Sequence, residues 1–483
     1  MKYDIIKHIM EVKMKILLKN IASLIVIIII SLTIYQVLKL DVLPNKYLYL
    51  FLIVEIILFL GSCILYNQKK LPLLIIGIIL YLIIILGNIF GYYYLSKINK
   101  YIDNSFTKET YKIEIPYYLL ASTTNQTNKI DELDKNTEID YYKYSRSITQ
   151  AMKELGKYNY IGIDTVIDSL KEIQNTNKYL LIGKADYNYL FDNTQIDIIK
   201  KEDYKIIKEF IVTEELKVNK ETPDSYNIYI NGLDFTGLMR DYNLIATVNT
   251  KTRKVVLTSI PRDYYMDVPG YNIKDTLMCL GSLDSEISKE ALEKLFDIKI
   301  DYTINLKTTS LVTIVDSLGG IDFCSDYEFR TTHALVLDTY NDNIGKKLYV
   351  PKGCKTYNGI EILTIARERN AFPGRDRYRQ KNCRQILINI IKKLASTTTL
   401  TNYNEVINSL EGLYTTDMND KTVKQLVKTA IEDFNFEIIE QSVDGHDSIG
   451  VGHLGTAESW IMTPDMNTVT AASEKIKTIL KEK

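Results

Sequence analysis

Five arginines, Arg367, Arg369, Arg375, Arg377 and Arg379, fall within thirteen positions of the stretch Ala366–Asn382. A planar guanidinium grips two oxygens of a phosphate at once and stays charged at any working pH, which a lysine does not match. The stretch therefore reads as the anion-binding wall of a site, with phosphate the leading ligand. A solvated, arginine-rich turn is the alternative. Three smaller charged groups lie upstream: Asp234, then Arg240 with Asp241, then Arg262 with Asp263 in Ile260-Pro261-Arg262-Asp263. Two carboxylates, Asp234 and Asp241, near several arginines suit a Mg²⁺ site for a pyrophosphate, because this hard ion takes oxygens from carboxylates and phosphates. Ion and arginines together would stabilise charge developing on a phosphoryl group. The same aspartates also read as turn residues and ion-pair partners. There is no glycine-rich phosphate loop and no HExxH. The four histidines (His8, His333, His446 and His453) show no ligand spacing.

These groups sit at the ends of predicted elements. Asn227–Asn231, Leu244–Asn249 and Val255–Ile260 read as strands, near-continuously apolar, as a sheet covered on both faces requires. Helices are expected at Ser288–Phe296, Thr309–Leu318, from Asn358 to about Arg369, and from Asp376 to Leu394. Tyr302–Leu306, Ile321–Cys324, Lys347–Val350 and Glu437–Ser442 read as further strands. Later helices are expected at Tyr403–Leu413, Thr422–Asp433 and Asp465–Leu480. Strands alternating with helices give an α/β/α sandwich, and ligands of open α/β sheets collect at strand ends. In the long helix, Arg379, Cys383, Ile386, Leu387, Ile390 and Leu394 share one face. Arg379 then lies on the packed side, where a buried arginine needs an acidic partner or a phosphate. Arg377, Lys381 and Arg384 point elsewhere, and Arg375 and Arg377 fall to the rim.

The chain has 483 residues, 46% hydrophobic, with a net charge of −1. That length implies two or three domains, and the neutral balance argues against a nucleic-acid binder. Ile21–Leu38, Tyr47–Tyr66 and Leu71–Leu95 are three apolar runs of membrane-spanning length, unlike a cleaved signal peptide. Lys2, Lys7, Lys13, Lys15 and Lys19 precede the first run, and Lys69 and Lys70 follow the second. This bias predicts a cytoplasmic N-terminus and places everything after about residue 96 outside. Glu55, inside the second run, is expected protonated or in a helix–helix hydrogen bond. Residues 101–218 read as a small α/β accessory domain without chemistry of its own: strands at Tyr111–Leu120, Tyr179–Ile182 and Ile196–Ile199, helices at Ser147–Leu155 and Ile163–Ile173. Residues 219–483 read as a second outer domain, the one that carries the charged groups and is expected to be catalytic. Among the four outer cysteines, Cys324 and Cys354 flank neighbouring strands and are the favoured disulfide.

The stretch from Asn227 to about Ala395 resembles the LytR-CpsA-Psr (LCP) family of Gram-positive envelope enzymes. The resemblance rests on Asn231-Gly232-Leu233-Asp234, on Thr258-Ser259-Ile260-Pro261-Arg262-Asp263 and on Val315-Asp316-Ser317-Leu318-Gly319-Gly320-Ile321. It continues through Asn358-Gly359 with Arg367-Glu368-Arg369, and Asp376…Arg379…Asn382. Three membrane runs and an accessory segment are similar to its CpsA-like capsule branch. The resemblance implies a plasma-membrane transferase that moves a capsule or teichoic-acid glycopolymer from a polyprenyl pyrophosphate onto peptidoglycan, with the lipid tail in an apolar tunnel beside the sheet. It implies Mg²⁺ on Asp234 and Asp241. Arg262, Arg367, Arg369 and Arg379 would act on the pyrophosphate, Asp263 would orient Arg262, and Arg240 and Asn382 would join the substrate contacts. Two departures stand out: Arg240 directly precedes Asp241 where the family has Arg-Ser-Asp, and Cys383 stands where the family often has Gln. An envelope sensor that binds polyprenyl-phosphate lipids without turnover, and a pyrophosphate-lipid hydrolase, are the competing readings.

Overall fold

A computed structural model of the chain describes residues 2–106, 109–191, 199–234, 239–284, 286–334, 346–394, 412, 414–432, 436–456 and 458–482. The expected strand Ile196–Ile199 and helix Tyr403–Leu413 fall mostly outside them. The chain divides into two compact units, Met1–Lys108 with Asn419–Asn435, and Glu109–Met418 with Phe436–Lys483.

The first unit follows from the three apolar runs. They form helices α1 (Lys2–Leu40), α2 (Asn45–Tyr66) and α3 (Leu71–Phe106), each long and apolar enough to cross a membrane. Polar side chains inside them find partners on neighbouring helices, as hydrocarbon surroundings require. Asn88 Nδ2 donates to both oxygens of Glu55, at 3.2 and 3.3 Å. This is one of the two arrangements expected for Glu55. Asn99 Nδ2 donates to Gln36 Oε1 at 2.8 Å. At one end Lys39 pairs with Asp103 at 2.7 Å. The later helix Asp420–Glu432 meets the α1–α2 connection, where Lys428 pairs with Asp41 at 3.1 Å.

In the second unit, the accessory segment is a five-stranded sheet in the order β3-β2-β4-β1-β5. Its strands are β1 (Thr110–Ser122), β2 (Glu138–Tyr142), β3 (Asn159–Ile163), β4 (Tyr179–Gly183) and β5 (Tyr204–Lys217). Helices α4 (Ile148–Leu155), α5 (Val166–Ile173) and α6 (Lys184–Phe191) connect them. Ile163 ends a strand rather than starting the helix: Asn-Tyr-Ile-Gly-Ile pairs in parallel with β2, and the β-branched and aromatic side chains suit a pleated surface.

The region after residue 218 is built on a six-stranded mixed sheet in the order β16-β11-β6-β7-β8-β17. The chain enters it through β6 (Ser225–Leu233), β7 (Arg240–Asn249) and β8 (Lys254–Ile260), each antiparallel to the last. A small hairpin, β9 (Tyr265–Asp267) and β10 (Lys274–Thr276), leads to helices α7 (Leu277–Leu283) and α8 (Ile287–Phe296). Strand β11 (Tyr302–Leu306) runs parallel to β6, and helix α9 (Thr308–Ser317) follows. Next come β12 (Ile321–Ser325), β13 (Phe329–Ala334), β14 (Lys347–Val350) and β15 (Gly353–Tyr357), then α10 (Gly359–Arg367) and α11 (Asp376–Leu394). The remainder is β16 (Tyr414–Thr416), α12 (Asp420–Glu432, in the first unit), β17 (Glu437–Ser442), the hairpin β18 (Gly445–Gly450) and β19 (Ser459–Pro464), and α13 (Met466–Lys481). Helices α7, α8 and α13 cover one face of the sheet, burying Tyr229 and Ile245 against Leu280, Leu292 and Ile476. Helices α10 and α11 lie over the other face, giving the expected sandwich. The same buried cluster runs on into the accessory sheet through Leu120, Leu170 and Leu180. Cys324 and Cys354 are opposite each other in β12 and β15 and form the expected disulfide.

Candidate active site

Three neighbouring strands deliver charged residues to one edge of the sheet. Asp234 follows β6, Asp241 opens β7, and Arg262 and Asp263 follow β8. The register explains Asp241. Asn231 pairs with Asn243 and Gly232 with Tyr242, but Leu233 pairs with Arg240. Asp241 is therefore the extra residue of a β-bulge, a device that re-aims one side chain beside an active site. It receives Arg262 Nη1 on Oδ1. Arg379 Nη1 sits 3.1 Å from Oδ2, and Arg379 Nη2 donates to the Asp241 carbonyl at 2.8 Å.

The arginine stretch is held from behind. Asn358 caps α10 and forms a capping box with Glu361. Gly359 N donates to Asp316 Oδ1 at 2.7 Å, joining the Asn-Gly and Asp-Ser-Leu-Gly-Gly motifs. A Cβ on Gly359 would lie 2.3 Å from the Val312 carbonyl oxygen, so only glycine permits this approach. After α10, the carboxylate of Glu368 is fully buried. It accepts from the Thr332 amide at 2.5 Å, the Thr332 hydroxyl at 3.1 Å and the Ala371 amide at 2.9 Å. That anchor fixes the bend carrying Arg367 and Arg369 on either side. At the start of α11, Asp376 accepts from Arg379 Nε at 2.7 Å and Gln380 Nε2 at 2.9 Å. Glu368 and Asp376 are positioning residues that the arginine pattern overshadows. Each is the acid embedded in a basic run, which is the signal for them.

The electrostatics set Arg369 apart from Arg262 and Arg379, whose pKa values are raised. Burial alone would raise the Asp241 pKa, but Arg262 and Arg379 outweigh it and hold the carboxyl well below the usual range. At Asp376, Arg379 and Arg262 likewise overcome burial and depress the carboxyl. Burial wins at Asp263, whose carboxyl is raised despite Arg262 Nε at 3.6 Å. Arg369 is half-buried, and among the described residues no carboxylate lies in ion-pair contact with it. The charge of Arg262, then burial, then Arg379 pull its pKa below the ordinary guanidinium value. A desolvated cation in this position favours an added anion.

Beside this cluster lies a cavity of about 150 Å³. Asp234, Asp241, Lys307, Arg367 and Arg379 line its charged part. Ile230, Leu233, Leu306, Leu311, Leu363, Ile386, Leu387 and Ile390 line most of the rest, with Tyr242, Thr308 and Cys383 among them. Five members of the expected α11 face, Arg379, Cys383, Ile386, Leu387 and Ile390, thus form one wall. Cys383 does not join a disulfide. Its thiol donates to the Ala366 carbonyl at 3.3 Å, and burial pushes its pKa up to about 12.

The remaining sequence candidates separate. Arg240 is buried, and the groups acting on its charge are Tyr229, Glu286, Tyr111 and Asp234. Asn382 is buried, and its Nδ2 has no hydrogen-bond partner among the described residues. Arg375 is exposed, and Arg377 binds Asp444 at 2.6 Å. Arg384 departs from expectation: it is buried, with Nη1 2.8 Å from Ser259 Oγ and Nε 3.1 Å from Glu440. Helix α11 packs on more than one side, so a single apolar face underestimates what it buries.

Asp234 and Asp241 offer the oxygen donors Mg²⁺ prefers. Each Asp241 oxygen meets one guanidinium, yet a carboxylate has about four lone-pair directions, so acceptor capacity remains for an ion at the cavity mouth.

A sequence profile of the LytR_cpsA_psr family matches residues 189–474. A Bacillus cereus protein, polyisoprenyl-teichoic acid–peptidoglycan teichoic acid transferase TagU, is 28% identical over 279 residues, covering 55% of this chain and 85% of its own length. The Bacillus subtilis protein of the same name is 26% identical over 245 residues, covering 50% and 74%. A solved structure of TagT bound to LI-WTA is 21% identical with a TM-score of 0.43, covering 55% of this chain and 94% of that one.

Proposed function

The chain belongs to the LytR-CpsA-Psr family, and from that premise we propose that it is a membrane-anchored transferase. It moves a teichoic-acid or capsule-type glycopolymer from a polyprenyl pyrophosphate to a peptidoglycan hydroxyl. The observation that carries this reading is the half-buried Arg369 near Arg262 and Arg379, with Arg379 and Asp241 of the same cluster lining a largely apolar cavity. A polyprenyl pyrophosphate has the same two parts, an anionic head and an apolar tail.

In this reading Arg262, Arg369 and Arg379 bind the pyrophosphate, and Arg367 and Asn382 complete the contacts. The apolar wall of α10, α11 and β11 takes the first part of the lipid. A muramic-acid hydroxyl attacks the glycopolymer-linked phosphorus. The bond to the bridging oxygen breaks, polyprenyl phosphate leaves with that electron pair, and the hydroxyl proton is released as the phosphodiester forms. The three guanidiniums stabilise the charge passing to the leaving phosphate. Asp234 and Asp241 would hold Mg²⁺, whose chemistry is to polarise the phosphoryl oxygens. Lys2, Lys7, Lys13, Lys15 and Lys19 support a cytoplasmic N-terminus, with residues beyond α3 on the outer face of a Gram-positive-type envelope.

The test is release of polyprenyl phosphate by the purified chain, with and without a peptidoglycan acceptor. Acceptor-dependent release supports transfer. Equal release without acceptor indicates hydrolysis, and tight binding without release indicates a sensor.

A further inference from the structure

A second cluster of reactive side chains lies apart from the arginine site, where the accessory sheet meets the catalytic region. Asp275 lies in β10 of the β9–β10 hairpin, Cys279 lies about one helical turn later in α7, and His453 comes from the connection between β18 and β19. All three are buried, and one ligand atom from each lies within 4.8 Å of the others. His453 Nδ1 is 2.6 Å from Asp275 Oδ2. His453 Nε2 is 2.8 Å from Asp186 Oδ1, which belongs to α6 of the accessory sheet.

This donor set has a specific chemistry. One thiol, one imidazole and one carboxylate are the mixed soft and borderline ligands of zinc-type ions, not of Mg²⁺. Metal-bound histidines usually give their second nitrogen to a carboxylate, which fixes the ring. Asp186 stands in that place. The disulfide uses Cys324 and Cys354, so Cys279 keeps its thiol. A further group points to a thiolate here. The Thr276 hydroxyl lies beside the Cys279 sulfur. It is buried, with no hydrogen-bond partner among the described residues. A metal-bound thiolate would give that donor a strong acceptor.

We propose that Asp275, Cys279 and His453 form a buried zinc-type site, with Asp186 as the outer carboxylate on the histidine. Binding releases the Cys279 proton and the proton shared by His453 Nδ1 and Asp275, and no electron is transferred. Because Asp186 comes from α6 and the ligands from the catalytic region, the ion fastens the accessory sheet in place. The role is structural, since the site is buried and separate from the arginine cluster.

The experiment measures metal in the full-length chain, purified in detergent without a metal-affinity tag and reconstituted with zinc. About one equivalent of zinc per chain is expected, as for a single site. Cys279→Ala should lose it, and Cys63→Ala, which alters a membrane-helix thiol, should retain it. Cobalt(II) is the second probe: the cobalt-loaded wild-type chain should show a thiolate-to-cobalt charge-transfer band. If Cys279→Ala does not fold, this wild-type spectrum decides. Wild-type protein without stoichiometric zinc, cobalt-loaded protein without the thiolate band, or a folded Cys279→Ala with undiminished zinc would overturn the proposal.

Discussion

At the scale of single residues, carboxylates of the site are matched by arginines, while Arg369 has no carboxylate in ion-pair contact among the described residues. Asp241 is engaged by Arg262 and Arg379, and Asp376 by Arg379. Arg369→Ala is therefore expected to lower transfer by roughly 10²–10³-fold, the loss typical of one transition-state donor, while the melting temperature stays near wild type. Arg375→Ala, at an exposed position, should leave transfer unchanged; comparing the two rates checks the assignment. Asp241→Asn is different in kind. It leaves Arg262 and Arg379 buried beside a neutral group, and the cost of breaking such a pair is about 3–5 kcal/mol, measurable by denaturant unfolding. In the accessory sheet, burial and then the nearby Asp284 and Glu286 charges push the Glu214 carboxyl up to about 7. A carboxyl raised in the folded state contributes stability below its unfolded pKa of about 4.3 and loses it as pH rises toward the folded value. Stability should thus decline between about pH 4 and 7 on this account, and Glu214→Gln should flatten that part of the profile. Residue types were largely legible in the chain, because clustered arginine and paired aspartate carry their chemistry openly. Arg384 and Arg240 were harder, since their surroundings come from Glu440, Ser259, Tyr111 and Glu286, all distant in sequence.

At the scale of elements, the strands and helices of the catalytic region followed closely from apolar runs and caps. Strand β17 and helix α11 begin and end where the pattern placed them. The accessory sheet was read less well. Strands β2, β3 and β5 mix charged residues into short or half-buried runs, as in Tyr204–Lys217 with its alternating burial, so local patterning underdetermined them. The bulge at Asp241 was not legible at all, because register depends on the partner strand. Two elements carry tests. The Cys324–Cys354 disulfide closes a separation of 30 residues, and replacing both cysteines by serine should cost about 2–4 kcal/mol, seen as a lower melting temperature that reductant no longer changes. Gly359→Ala would press a methyl group into the Val312 carbonyl. It should destabilise the α9–α10 junction by about 1–3 kcal/mol and weaken transfer through displacement of Arg367.

At the scale of the whole molecule, three helices suited to a membrane precede a unit whose cavity combines arginine and aspartate side chains with a largely apolar lining. That combination matches a substrate with a charged head and a lipid tail, and it motivates the central claim. The most direct test supplies purified full-length protein with a polyprenyl-pyrophosphate-linked glycopolymer, Mg²⁺ and a peptidoglycan acceptor, and measures polyprenyl phosphate together with acceptor-bound polymer. The account predicts that both products appear in equal amounts and that Arg369→Ala and Arg262→Ala suppress both. Full product formation by these two variants, or binding of the lipid with no product from the wild-type chain, would contradict it.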